Sequence, residues 1–301
     1  MTIGQLPERK RLPAWLRRKL PDTSAIPTHE TLALNKLNTV CESALCPNRS
    51  ECYARKTATF MILGDVCTRS CGFCAIKTGR GLPVESDEPR RVAAAARDLG
   101  LKYIVVTSVA RDDLKDEGAL HFAQTIEAIR HELPDAQIEV LTPDFHARRE
   151  LLELVVKARP EVFNHNLETV KRLQKDVRPQ AAYERTLEVL RVVKELNPAI
   201  STKSGIMLGL GETEEEVLQA ARDLRSAGCD IFTLGQYLPP SKDHLQMVEY
   251  VAPEVFDRLA LQIKSLGFRE VFAGPYVRSS YHAGEVFHAA TLDERKAPYE
   301  K

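Results

Sequence analysis

Six strand–helix units laid end to end predict an α/β fold for this chain: an incomplete, TIM-like (β/α)6 parallel barrel with an extension at each end. Three observations carry that expectation. Short apolar, β-branched runs recur six times, and each leads into a stretch with the apolar period of an amphipathic helix. The units also follow one another without a break, as parallel strands joined by right-handed crossovers require. They occupy residues 57–267, which leaves 1–56 and 268–301 as N- and C-terminal extensions. Six units rather than eight leave a barrel open, with sites expected at the C-terminal ends of its strands. A doubly wound open sheet is the competing architecture.

In order, the first strand is expected over residues 57–63, and a cysteine-bearing loop separates it from a helix at 88–99. The second unit joins a strand at 103–107 to a helix at 119–132, and the third joins 138–142 to 147–158. The fourth joins 162–166 to 182–196, the fifth 201–208 to 214–227, and the sixth 231–237 to 253–266. Local signals agree. Thr213 with Glu216 forms a capping box, and Gly100, Gly228 and Gly267 stand where helices of these lengths should stop.

The 301 residues are 44% hydrophobic and 28% charged, enough to bury a large core, and 42 Lys and Arg balance 42 Asp and Glu. With zero net charge, no global field points to nucleic acid or a membrane surface. No apolar run reaches the ~18 residues of a membrane span, and nothing at the start reads as a signal peptide. A cytoplasmic protein is expected, where thiols stay reduced, so the seven cysteines call for something other than disulfides. Locally, Arg9, Lys10, Arg11, Arg17, Arg18 and Lys19 face a single Glu8. That is a solvated terminus or a basic arm for an acidic protein partner.

The segment CTRSCGFC sets Cys67, Cys71 and Cys74 in a C-x3-C-x2-C array directly after the first strand. Three thiolates so spaced can grip three irons of one [4Fe–4S] cube, which four would saturate. The fourth iron is left open, as catalytic metal sites keep a vacant position. A zinc site is the alternative, but paired C-x2-C elements are its usual mark and only Cys71 and Cys74 fit. This array is the signature of the radical S-adenosylmethionine (SAM) superfamily, which the chain therefore resembles. The resemblance implies that superfamily's six-unit partial barrel. It also implies SAM held on the open iron and cleaved to a 5′-deoxyadenosyl radical. Phe73 then occupies a position that is often aromatic near the nucleotide, though ordinary packing also accounts for it.

Upstream, CESALCPNRSEC sets Cys41, Cys46 and Cys52 in a C-x4-C-x5-C array, again without a fourth cysteine nearby. Cys229, at a helix–strand junction, is expected in the core. The two arrays together with RSSYHA near the C-terminus resemble lipoyl synthases. So do TSVARDDLKDEG, NHNLET, KSGIMLGLGET, GQYLPPSKDHLQMVEYV and GFREVFAGPYVRSSYHA. One departure is Ala110, where that family commonly has Asp; Arg111, Asp112 and Asp113 remain.

What the resemblance implies is a second, auxiliary [4Fe–4S] cluster on Cys41, Cys46 and Cys52. Its fourth ligand would be Ser280, with Ser279 the less favoured choice. A serine oxygen is a harder partner for iron than thiolate, so that corner should be the weak one. The implied reaction inserts sulfur from this cluster at C6 and C8 of an octanoyl chain on a carrier-domain lysine. The carriers would be E2 lipoyl domains of 2-oxoacid dehydrogenases and the glycine cleavage H protein. The electrons would come from a donor such as ferredoxin or flavodoxin. For SAM, strand ends offer Thr107, Asn166, Glu168 and Lys203: a carboxylate suits ribose hydroxyls and an ammonium the SAM carboxylate. His165 reads as structural, and Arg278 as a brace for the RSSY segment or a contact near the octanoyl-lysine. The rivals are a radical SAM methylthiotransferase, whose extra cysteines are normally spread through an added domain, and an electron-carrying iron–sulfur protein, which needs no barrel mouth.

Overall fold

The computed structural model describes residues 11–17 and 23–296; Glu8, Arg9, Lys10, Arg18 and Lys19 of the basic cluster lie outside them. All six expected strands form: β1 (Thr59–Ile62), β2 (Tyr103–Ser108), β3 (Gln137–Leu141), β4 (Val162–Asn164), β5 (Ser201–Leu208) and β6 (Ile231–Gln236). Consecutive strands are sheet neighbours and pair in parallel, which is the barrel topology rather than the doubly wound one. A seventh, β7 (Glu270–Gly274), pairs in parallel with β6 and lies within the stretch read as the C-terminal extension. At the other edge Asn38–Thr39 pairs antiparallel with β1. These two edges are not bonded to each other among the described residues, so the eight-stranded sheet stays open.

The six helices follow their strands: α1 (Glu88–Asp98), α2 (Ala119–Glu132), α3 (Arg149–Lys157), α4 (Tyr183–Leu196), α5 (Glu214–Ser226) and α6 (Pro253–Lys264). The capping box at Thr213 and Glu216 is present, and Gly100, Gly228 and Gly267 end their helices in left-handed conformation. Strand alternation decides the core. Phe60, Ile62, Ile104, Val106, Ile138 and Val140 are buried in one apolar cluster with residues of α1, α2 and α3. The opposite face of the sheet is polar in part. There Glu139 receives Lys203 Nζ at 2.9 and 3.1 Å, Tyr103 Oη at 2.7 Å and Asn164 Nδ2 at 2.9 Å.

A last helix, α7 (Ala283–Lys296), packs Val286, Phe287 and Ala290 against Tyr103, Val162 and Ile231, the first residues of β2, β4 and β6. It thereby stoppers the N-terminal mouth of the barrel and leaves the C-terminal mouth to the CTRSCGFC loop. No helix among the described residues is long and apolar enough to cross a membrane.

Candidate functional site: two thiol triads

The loop after β1 is held closed by a short parallel pairing of Val66–Cys67 with Lys77–Thr78. Cys67 Sγ accepts backbone N–H bonds from Arg69 at 3.4 Å and Ala110 at 3.3 Å. Ala110 serves here through its backbone, so its departure from Asp leaves this contact intact. Burial pushes Cys74 up to about 12, and the adjacent Cys71 and Cys67 add like-charge repulsion. Burial likewise raises Cys71, with Arg178 opposing. Two of these partly buried thiols, Cys71 and Cys74, resist becoming thiolates, and a cationic partner such as an iron cluster would favour their deprotonation.

Arg69, between the first two cysteines and only 7% exposed, anchors this loop. Its guanidinium donates to Asp112 at 2.6 and 2.9 Å and to Asp144 at 2.8 Å, and Arg185 also reaches Asp144 at 3.1 Å. Burial alone would raise both carboxyls, but Arg69 holds them below the usual carboxylate range. Asp112 also groups with Glu117 and His146, yet Arg69 and Arg148 already balance those carboxylates. From above, residues 238–249 lie on the loop: Leu245 N–H donates to the Gly72 carbonyl at 3.0 Å, and His244 Nε2 to the Cys74 carbonyl at 3.1 Å. A Cβ on Gly72 would stand 2.8 Å from Leu245 Cγ, so this approach requires glycine.

The residues expected around SAM divide. Glu168 and Asn166 lie near the first triad: Glu168 is a like-charge neighbour of Cys71 and Cys74. Asn166 Nδ2 donates to Glu168 at 3.1 Å, and its Oδ1 is buried without a partner among the described residues. Glu168 itself is raised by burial against the pull of Arg178. Phe73 is partly exposed on the loop itself. The Thr107 hydroxyl is spent on the Leu141 carbonyl at 2.8 Å, inside the sheet. Lys203 needs correcting most. It is 1% exposed and bound by both oxygens of an equally buried Glu139, so its charge is already balanced within the barrel.

His165 is structural, donating Nδ1 to the Thr142 carbonyl at 2.8 Å. Burial pushes its pKa down to about 4, with Arg178 adding and Asp144 opposing. An unfolded histidine near 6.5 binds a proton the folded one refuses. Its contribution is thus full above that value and falls away as pH drops towards the folded one, by about 3 kcal/mol in all. Urea denaturation across that window should show the slope, and His165→Gln should flatten it. An unchanged slope would clear His165 of the effect.

The second triad forms where the N-terminal segment crosses the open edge. Cys41 lies in the turn Val40–Ser43, whose first backbone groups Thr39 caps, and Cys52 lies in the helix Arg49–Ala54. Between them Leu45 turns left-handed and Cys46 N–H donates to the Cys41 carbonyl at 3.1 Å. All three cysteines and Ser280 line one cavity of about 170 Å³, with Tyr103 and Arg278 also on its wall. Burial pushes Cys41 up to about 11 and Cys52 up to about 12, and the neighbouring thiols add to both. The donor set, three thiols and one hydroxyl lining the same partly open cavity, fits a cube of iron and sulfide.

The two serines part company. Ser279 Oγ accepts from Asn166 Nδ2 at 2.5 Å, while Ser280 lines the cavity that the three cysteines share. Their segment passes β6 so closely that a Cβ on Gly235 would come within 2.1 Å of the Val277 carbonyl. Cys229 is fully buried, its thiol donating to the Ile231 carbonyl at 3.3 Å, as expected of a core residue. Sequence reading missed Arg69, Asp144, Arg178, Glu51 and Arg55 as parts of these sites, because their partners lie far away along the chain.

The chain matches the Radical SAM superfamily over residues 61–224. It is 54% identical over 273 residues to a lipoyl synthase of Caldanaerobacter subterraneus subsp. tengcongensis, covering 91% of this chain and 96% of that protein. It is 53% identical over 285 residues to a lipoyl synthase of Rubrobacter xylanophilus, covering 94% and 88%. Among solved structures it aligns with a maturase of the [FeFe]-hydrogenase at TM-score 0.56 and 15% identity, covering 80% of this chain and 59% of that one. It aligns with methylornithine synthase at 0.55 and 14%, covering 69% and 62%. These two share its fold.

Proposed function

This chain belongs to the lipoyl synthase family of radical SAM enzymes, and from that membership we propose that it inserts two sulfur atoms, at C6 and C8, into an octanoyl chain amide-linked to a carrier-domain lysine. The supporting observation is the convergence of Cys41, Cys46, Cys52 and Ser280 on one cavity, apart from the triad of Cys67, Cys71 and Cys74. In this reading the cavity of Cys41, Cys46, Cys52 and Ser280 binds an auxiliary [4Fe–4S] cluster that is consumed as the sulfur-donating substrate. When bound at Cys67, Cys71 and Cys74, a [4Fe–4S] cluster with SAM supplies the radical that removes hydrogen from an unactivated C–H bond.

The chain's own residues then divide the work. Cys67, Cys71 and Cys74 grip three corners of the catalytic cluster, and Arg69, pinned by Asp112 and Asp144, fixes the loop that carries them. Asn166 and Glu168 have the donors, acceptors and position to hold SAM hydroxyls, with Phe73 beside the nucleotide. Residues 238–249 cover the loop and exclude water, which protects a reactive intermediate. Ser280 supplies the oxygen corner of the auxiliary cluster, and its weak hold on iron suits a cluster that must come apart. The carriers that fit are E2 lipoyl domains and the glycine cleavage H protein, and a ferredoxin or flavodoxin fits as reductant.

Anaerobically reconstituted protein, given SAM, a strong reductant and an octanoylated carrier peptide, is expected to convert the peptide to its dithiolated form by mass spectrometry. An unchanged peptide mass alongside SAM cleavage would overturn the sulfur-insertion reading.

A further inference from the structure

We propose that Tyr281 and Arg55 are the positioning residues that hold Ser280 against the auxiliary thiols, and that they act as a catch able to open. This rests on reading that cavity as a cluster site, and it concerns what keeps the oxygen corner in place. The Ser280 hydroxyl makes no hydrogen bond among the described residues, so its neighbours impose its position. Just beyond it, Tyr281 Oη donates to Glu51 Oε1 at 2.9 Å, and Glu51 immediately precedes Cys52. Three residues after Cys52, Arg55 Nη2 donates to Glu285 Oε1 at 2.6 Å. The His282 ring joins both partners: Nδ1 lies 2.8 Å from the other Glu285 oxygen, and the ring nitrogens lie 3.1 Å from Arg55 Nη1. Residues that flank a thiol ligand thus meet residues that flank the serine.

Two features make this a catch rather than a weld. Arg55 and Glu285 are 50% and 64% exposed, and exposed ion pairs are weak and screened by salt. His282 also holds a left-handed φ of +53°, a conformation an L-residue keeps only while its surroundings impose it. The Tyr281 ring stacks on Phe272 of β7 and meets the His282 ring edge-on at 4.2 Å. Releasing the Tyr281–Glu51 contact and the Arg55 contacts, which include the His282 ring at 3.1 Å, therefore loosens the bend on its outer side, while Asn166 still ties it at Ser279. A serine that must leave iron when the cluster is dismantled needs such a mounting, firm enough to aim its oxygen and weak enough to let go.

The test uses full-length protein carrying both clusters, with Ser280→Ala as reference beside Tyr281→Phe and Arg55→Gln. Phenylalanine keeps the ring on Phe272 and removes only the hydroxyl. Under limited ferricyanide, electron paramagnetic resonance follows the three-iron signal; the share from the open-cornered Cys67–Cys71–Cys74 cluster is measured in a Cys41→Ala/Cys46→Ala/Cys52→Ala variant and subtracted, and the remainder reports loss of the serine-bound iron. Both catch variants should develop this remainder several-fold faster than the parent, in the direction of Ser280→Ala, while Arg55→Lys returns towards the parent rate. If Ser280→Ala is fast but both catch variants match the parent, the catch is disproved and the cluster reading stands. If Ser280→Ala also matches the parent, the serine is no ligand and the underlying reading fails with the catch.

Discussion

Cys46→Ala is expected to cleave SAM at close to the parent rate and to transfer no sulfur. The two triads explain the split. Cys46 borders the cavity shared with Cys41, Cys52 and Ser280, whereas the thiols of CTRSCGFC are coupled to one another and to Glu168 and Arg178. Removing one thiol from a three-thiol, one-hydroxyl set leaves two strong donors, too few to retain a cube. Losing an outer-shell partner of a metal ligand already costs 10–100-fold, so losing a ligand should lower thiolation by more than about 100-fold. One anaerobic vial supplies both readouts: 5′-deoxyadenosine by chromatography and the carrier peptide by mass. A variant that still thiolates the peptide would show that the sulfur comes from elsewhere.

Lys203→Met should be among the most destabilising single changes in the barrel, and should act on folding rather than on SAM affinity. Lys203 and Glu139 are each 1% exposed and face each other across β5 and β3. Removing the ammonium strands a carboxylate that keeps only Tyr103 and Asn164 as donors. Breaking a buried pair from one side costs about 3–5 kcal/mol, and for a chain of this size the thermal midpoint should fall by roughly 5–10 °C. The double variant Lys203→Met/Glu139→Gln removes the orphaned charge and should recover much of the loss. Thermal denaturation followed by circular dichroism tests both. An unchanged midpoint together with a raised KM for SAM would instead return Lys203 to the cofactor.

Periodicity made the six strand–helix units legible because each apolar run alternates and each helix has one apolar face. β7 was not, although its pattern is similar. Glu270–Gly274 is five residues long, sits between Gly267 and Pro275, and reads as tail unless its pairing with β6 is known. The thiols were legible from spacing, since a cluster needs its ligands close together. Ser280 rested on family resemblance alone, and the structure gives it a cavity shared with cysteines more than 220 residues away. Lys203 misled because a lysine on a strand looks the same whether it meets a substrate or a buried glutamate. Glu139, which decides the matter, lies 64 residues upstream in an ordinary apolar strand. Arg69 escaped notice for a similar reason: its partners Asp112 and Asp144 lie 43 and 75 residues away.

The open edge of the sheet sets an order in which the chain can mature. Cys67, Cys71 and Cys74 lie within one loop, and closing so short a stretch costs little entropy. The other pocket joins residues 41–52 to residue 280 and has Tyr103 and Val105 in its wall, so every barrel unit must be in place before it exists. Contacts of such long sequence separation are made late in folding. Iron loading should follow suit, with one site ready while the barrel is still incomplete and the other available only to a finished fold.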